Sequence, residues 1–329
     1  MCVKVDGEPK GSPSAFSALV SPSHHLTISL YIPPPTQQAS QVIVYLNGQF
    51  LPLEDAKISV LDRGFIFGDA IYEVWRGVRG ELFEFDKHLG RVHNGLRDVH
   101  ITPPAETQRD RMLSIVDRLM SENGLTAESS LFLEISRGVA PRMHAYPKPP
   151  VAPTVFIMGA PFVPPEELRA KGAGVMTIDD IRWKRCNVKT TQLLPNVFAK
   201  QAAAEHDLLD TIFIRDGVYT ETSHANVMFV IDGVVRTHAV GESVLPGVTR
   251  DVVLELARSL KIPVEERPVK TSELGKASEV FLTGTLSDVM PVITFDGKRV
   301  GDGKPGPVAK KLHTALRERL DKLGAVARV

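Results

Sequence analysis

Four X-Gly dipeptides limit the fold more than any other feature of this chain. Asn47-Gly48, Arg79-Gly80, Asp216-Gly217 and Asp232-Gly233 each interrupt a run of apolar or alternating residues. Two-residue turns of this kind join antiparallel strands, because their left-handed backbone matches the twist of the flanking ladder. Hairpins are therefore predicted in both halves of the chain. "DAIYEVWRGVRGELFEF" reads as one, with Tyr72 and Val74 on one face of its first arm and Ile71, Glu73 and Trp75 on the other. "DTIFIRDGVYTETSHANVMFVIDGVVRTHA" reads as further strands joined by turns. No βαβ series with a Gly-rich phosphate fingerprint appears, so a dinucleotide-binding fold is not supported.

Helices fall between the hairpins. Phe85, Leu89, Val92, Leu96 and Val99 recur at helical spacing. Residues 105–125 predict a second helix, stopped at Asn123-Gly124. "SSLFLEISRG" and "TVFIMGAP" are strands on either side of a Pro-bearing loop, "VAPRMHAYPKPP". "APFVPPEELRAKG" reads as a domain connection. Beyond it, Pro195 suits the first turn of a helix through "LLPNVFAKQAAAEHDLL". "VTRDVVLELARSL" and "GPVAKKLHTALRERLDKLG" are further helices. The expected class is α+β, with mixed sheets and flanking helices. Its expected domains are an N-terminal one over 42–158, a linker over 159–172 and a C-terminal one over 173–329. Residues 1–41, rich in Pro, Ser, Gln and His, are expected to form a mostly disordered arm.

Composition narrows the function classes. A chain of 329 residues with 43% hydrophobic content can build a large core without staples. Its 39 basic and 39 acidic residues cancel, which removes the general electrostatic argument for a nucleic-acid partner. Two cysteines, Cys2 and Cys186, cannot supply a disulfide framework, so a reducing, cytoplasmic setting is expected. No apolar run approaches the roughly 20 residues of a membrane span, and the N-terminus lacks a secretory pattern.

Three lysines fall within "RWKRCNVKTTQLLPNVFAKQ": Lys184, Lys189 and Lys200. Lys189 sits at a strand-to-helix join, where rigid elements fix the backbone of a reactive group. Lys184, beside Arg182 and Arg185, reads as solvated surface or as part of a site facing an anion. Lys200 reads as a solvent-facing helix charge. Local evidence separates Lys189 only slightly from such solvated charges. Glu221 lies in a polar break, either as a turn residue or as a carboxylate aimed into a cleft. Thr249, shortly after Gly247, reads as an N-cap; helix starts of this kind bind phosphate well, although most bind nothing. Arg142 and His144, two apart in an extended loop, point the same way. They are either a grip for a carboxylate or two exposed polar residues.

Taken together, these segments resemble the class IV aminotransferases, pyridoxal-phosphate enzymes of fold type IV, and are most similar to the D-amino-acid aminotransferase branch. The likeness rests on "DRGFIFGDAIYEV", "HLGRV", "RGVAPRMHAYP", "DIRWKRCNVKTTQLLPNVFAKQ", "TETSHANVMFV", "LPGVTRDVV" and "FLTGTLSDVMPV", in family order over about residues 43–320. The resemblance implies a cofactor, pyridoxal 5′-phosphate, and a role for each matching residue. Lys189 matches the Schiff-base lysine, which also moves the substrate α-proton. Glu221 matches the carboxylate facing the pyridine nitrogen. Arg91, Val248, Thr249 and Thr285 match phosphate ligands, and Leu245 matches an apolar residue against the ring. Tyr72, Arg142 and His144 resemble the carboxylate trap, with Arg142 and His144 reaching the site of a neighbouring subunit in a homodimer. Val74 would touch the substrate side chain. No metal, nucleic acid or membrane is implied.

The implied reaction transfers the amino group of a D-amino acid, such as D-alanine, to a 2-oxo acid, such as 2-oxoglutarate. Aminodeoxychorismate lyases, (R)-amine transaminases and branched-chain aminotransferases share the fold, and the Arg142-x-His144 pair argues against them. A non-catalytic scaffold would not need Lys189, Glu221 and Arg91 together. The chain departs from the family pattern at His224-Ala225, at Gly284, where a phosphate-binding serine is expected, and at Thr190-Thr191-Gln192.

Overall fold

The computed structural model describes residues 42–323; the expected N-terminal arm, residues 1–41, lies outside the described residues, as do residues 324–329. Each of the four X-Gly turns holds both residues in the left-handed region, for example Asn47 at φ 48° and Gly48 at φ 90°, and Asp216 at φ 53° and Gly217 at φ 75°. Asp296-Gly297 adds another turn of the same form. Such turns demand glycine at the second position and a residue tolerant of positive φ at the first.

The first sheet is antiparallel. Its strands are β1 (Ile43–Leu46), β2 (Gln49–Pro52), β3 (Ala70–Val78), β4 (Glu81–Leu82), β5 (Glu128–Ser136) and β6 (Thr154–Pro161), in the order β2-β1-β6-β5-β3-β4. A short helix, α1 (Arg63–Phe67), precedes β3; α2 (Phe85–Asp98) and α3 (Arg109–Glu122) pack on the sheet. The predicted alternation in β3 holds: Ile71 and Trp75 enter the core with Leu133, Leu89 and Met112, while Tyr72 and Val74 are half-buried on the other face. The predicted helix over 105–125 begins later than expected. Gln108 is extended (ψ 134°), so a 3-10 turn precedes α3.

The second sheet is mixed. It comprises β7 (Ala173–Asp179), β8 (Asp210–Arg215), β9 (Val218–Thr222), β10 (Asn226–Ile231), β11 (Val234–Thr237), β12 (Val264–Glu266), β13 (Val269–Lys270), β14 (Ala277–Gly284), β15 (Asp288–Phe295) and β16 (Lys298–Arg299). Its order is β12-β11-β10-β14-β15-β7-β8-β9-β13, and β10 also pairs with β9 through Asn226 and Glu221. That extra pairing closes β10-β14-β15-β7-β8-β9 into a ring. Val175, Ile212, Val227, Phe229 and Phe295 share one core cluster. Alternate residues such as Met228, Val230 and Phe281 belong to another, with α6 (Val248–Ser259) and α7 (Pro307–Asp321). The expected connection contains a helix, α4 (Glu166–Lys171), whose Arg169 is buried against Asp288. β7 and β8 run parallel, which requires a crossover. The crossover is a loop over residues 180–193 followed by α5 (Leu194–Ala204).

The halves are locked together from the inside. Arg76 of β3 pairs with Glu128 at 2.7 Å and with Asp288 of β15, which also faces Arg169 at 3.3 Å. Val78 and Phe83, from the β3–β4 hairpin, join the core beneath α6 and α7.

Candidate active site

The crossover loop brings Lys189 to the join between the halves. Val188 is buried in the first core, and Thr190 bridges Ile71 of β3. The Tyr72 N–H donates to Lys189 O at 3.0 Å, and the Thr191 N–H to Ala70 O at 3.2 Å. The loop is thus stitched to β3 at Lys189 and just after it, and the Lys189 side chain lines a cleft. Nζ lies 4.1 Å from the centre of the Tyr72 ring. Among the described residues no carboxylate pairs with it, which leaves an amine available for chemistry.

The other two lysines differ from each other. Lys184 is exposed, as expected. Lys200 is not a solvated charge: it is half-buried, its Nζ donates to Leu209 O, and burial pulls its pKa down despite the nearby Asp210. α5 packs on β8, and that packing turns an apparent surface position inward.

Glu221 lies near the end of β9, at the closure of the ring. Its Oε2 accepts from Leu245 N at 2.9 Å and from Asn226 Nδ2 at 3.1 Å, and its Oε1 accepts from Arg182 Nη1. Arg182 is itself gripped by Asp180, at 2.9 and 2.8 Å. Burial raises the Glu221 pKa, and Arg182 only partly offsets this. A positive N–H placed against Glu221 would oppose that shift and favour the ionised form.

An anion-binding end is built from both halves. Arg91 of α2 donates Nε and Nη2 to Glu73 at 2.8 and 2.7 Å, and Nη1 to Pro246 O at 3.0 Å. Glu73 is buried, which by itself would raise its pKa. Arg91, with His88 at 3.1 Å, outweighs burial and holds the carboxyl far below its ordinary value. Beside Arg91, α6 begins at Val248. The N-cap is Gly247, not the expected Thr249, and no side chain caps this end. A Cβ at Gly247 would meet Asn226 Oδ1 at 2.1 Å, so only glycine lets the helix start this close to β10. The first N–H groups of a helix lack intrahelical partners and carry the positive end of its dipole. Thr283 adds a buried hydroxyl with no partner among the described residues. These donors and the Arg91 guanidinium fit a phosphate group.

Tyr72, Arg91, Lys189, Glu221, Leu245, Val248, Thr249 and Thr285 line this one cleft. Val74 does not, since two residues along a strand carry it about 7 Å from Tyr72. Arg142 and His144 also lie outside it, exposed on the loop after β5. The backbone of that loop is pinned by the buried Arg63, which donates to Met143 O, Ala145 O and His144 O and pairs with Asp69 at 2.8 Å. Arg142 and His144 both rest against Phe67, at 5.5 Å, and no carboxylate pairs with Arg142 among the described residues. Glu73, Arg182 and Asn226 were not singled out from the sequence. Only Glu73 had a legible signal, a carboxylate on the buried face of β3.

Comparison with known proteins is consistent across sequence and structure. Residues 70–295 match the family model for class IV amino-transferases. The chain is 36% identical over 280 residues to D-alanine aminotransferase of Bacillus licheniformis, covering 84% of this chain and 96% of that protein. It is 35% identical over 269 residues to D-alanine aminotransferase of Staphylococcus epidermidis, covering 82% and 94%. Among solved structures, the branched-chain amino acid aminotransferase of Escherichia coli superposes with a TM-score of 0.78 at 25% identity, covering 86% of this chain and 97% of that one. A second branched-chain amino acid aminotransferase, solved with pyridoxamine 5′-phosphate, gives 0.76 at 26% identity, covering 84% and 93%.

Proposed function

Because the chain belongs to the class IV aminotransferases, which depend on pyridoxal phosphate, we propose that it moves the amino group of a D-amino acid, such as D-alanine, to a 2-oxo acid, such as 2-oxoglutarate. The observation that carries the D-specific reading is the Arg142-x-His144 pair. Both side chains project from a loop whose backbone Arg63 holds fixed, and they lie outside the cleft of their own chain. A fixed, uncompensated Arg with a His beside it suits the α-carboxylate of a substrate bound in a second copy of the chain. Exposed apolar side chains on the segment before β3, Val60, Leu61 and Phe65, support such a homodimer.

The residues divide the work. Bound pyridoxal phosphate supplies a carbonyl to capture the substrate amine and a ring to accept the electrons released at Cα. Arg91, Val248, Thr249 and Thr285 hold its phosphate. Glu221 provides the negative charge that keeps a proton on the ring nitrogen, and Leu245 packs beside it. Lys189 Nζ would anchor the carbonyl carbon, and it would carry the proton lost from the substrate Cα. Tyr72 bounds the substrate site from the first sheet.

The branched-chain identity of the structural neighbours gives the alternative, an L-specific enzyme. Incubating the holoenzyme with D- or L-alanine and 2-oxoglutarate, and following pyruvate, separates the two. Pyruvate from D-alanine is expected; pyruvate from the L-enantiomer alone refutes D-specificity.

A further inference from the structure

The Ser223–Ala225 turn carries a histidine that the reaction as described does not use. The turn is rigid: Thr222 N–H donates to Ala225 O at 2.8 Å, Ala225 N–H to Thr222 Oγ1 at 2.9 Å, and Asn196 Nδ2 to Ser223 O at 2.8 Å. His224 lines the cleft with its side chain 32% exposed. Behind it, at the start of β8, Asp210 is wholly buried. One Asp210 oxygen accepts from Thr211 N–H at 2.8 Å. The other faces His224 Nδ1 at 2.8 Å, with the Ser223 hydroxyl 3.2 Å from the same nitrogen. Burial works against the Asp210 charge, but His224, Lys200 and Ser223 outweigh it and hold the carboxyl at about 2.

With Nδ1 turned toward Asp210 and the Ser223 hydroxyl, His224 Nε2 remains for whatever enters the cleft. The other titratable groups of the lining are already engaged. Arg91 is paired with Glu73, and Arg182 with Asp180 and Glu221. The Cys186 thiol donates to Trp183 O at 3.1 Å. Lys189 and Tyr72 belong to the reacting end. The adjoining wall is close-packed at Gly284, where a Cβ would come within 2.6 Å of Ser287 Oγ and 3.5 Å of Ala225 Cβ. An imidazole backed by a buried carboxylate and partly exposed to the cleft is suited to an anionic group.

We propose that His224, backed by Asp210, is a specificity-determining group that receives the side-chain carboxylate of a dicarboxylic substrate such as 2-oxoglutarate. The proposal rests on the transaminase reading of the cleft but not on its D-specificity, since 2-oxo acids are achiral at the reacting carbon. Asp210 is a positioning residue: it holds the orientation of the ring.

The test compares 2-oxoglutarate with pyruvate as amino acceptor for wild-type holoenzyme and His224→Asn. The KM for 2-oxoglutarate should rise on the order of tenfold or more, the scale of one hydrogen bond to a charged group, while that for pyruvate stays unchanged. Titration with two unreactive acids, followed through the cofactor absorption, gives a second readout. Wild type should bind glutarate more tightly than butyrate, and His224→Asn should lose the difference. Equal changes for both acceptors, no change for either, or no glutarate preference in the wild type would each overturn the proposal and leave His224 as a structural partner of Asp210. Failure of D-specificity appears separately, in which alanine enantiomer is consumed.

Discussion

Replacing Glu73 by glutamine keeps the shape of the side chain and removes its charge. In the folded protein that charge is 1% exposed and faces Arg91 at 2.7 Å and His88 at 3.1 Å. Removing one partner of a buried ion pair costs about 3–5 kcal/mol, because the other charge stays desolvated. The glutamine carbonyl can still accept one Arg91 bond, which places the expected loss near the lower end, about 3 kcal/mol. For a chain of this size that is a fall in Tm on the order of 5 °C.

The pH dependence makes the test specific. The Glu73 carboxyl titrates below its ordinary 4.5 in the folded state. A depressed pKa contributes stability that is fully present above the unfolded value and is lost as pH falls through the folded one. Through this group, each pH unit below about 4.5 therefore removes about 1.4 kcal/mol from wild type, a loss that Glu73→Gln does not share. The gap between the two proteins, measured by denaturant unfolding, should narrow by about 2 kcal/mol between pH 4.5 and pH 3. Asp69 and Asp288 also titrate low, but they do so in both proteins and cancel in the difference. A gap that stays constant with pH, or a variant as stable as wild type at pH 7, would refute the assignment of Glu73 as the ionised anchor of Arg91.

Two further substitutions probe the cleft directly. Lys189→Ala should lower transamination by at least about a thousandfold, as loss of a general base and nucleophile requires, while the exposed Lys184→Ala stays within about twofold in the same assay. Gly247→Ala forces a Cβ to 2.1 Å from Asn226 Oδ1, so the start of α6 or the Asn226 side chain must move. Affinity for pyridoxal phosphate, titrated by absorbance into the apoenzyme, should drop about tenfold or more; unchanged affinity would mean that the helix start does not hold the phosphate.

Legibility in the sequence followed the range of the interaction. The X-Gly turns, the two faces of β3 and the run of apolar residues in α2 are set by neighbours within a few residues, and each appears where expected. α1 spans only five residues, too few for a periodic signal, although its caps were present as Asp62, which accepts from Gly64 N–H, and the left-handed Gly68. Arg182 was obscure for the opposite reason. Beside Lys184 and Arg185 it looked like one of several surface cations. Its partner Glu221 lies far along the chain and reaches it only when β9 and β10 close the ring. Thr249 has the chemistry of a cap, but close approach to Asn226 assigns that place to Gly247.

The charges of the cleft explain why one lysine is set apart. A pocket meant for a phosphate and a carboxylate needs cations, yet bare cations would hold any anion in any pose. Here Arg91 and Arg182 are each bound to buried or half-buried carboxylates, Glu73 for one, Asp180 and Glu221 for the other. Those carboxylates fix where each guanidinium points and cancel its long-range field, so what remains is directional hydrogen bonding. Lys189 has no such partner among the described residues; it faces only the Tyr72 ring. An amine held between stitched backbone segments, without a carboxylate to occupy it, is free to bond to carbon. Exchanging the partners tests this division: a carboxylate introduced by Tyr72→Glu would pair with Lys189 and should suppress transamination, whereas Tyr72→Phe retains the ring and should leave the lysine reactive toward the cofactor carbonyl, read as formation of its absorption band.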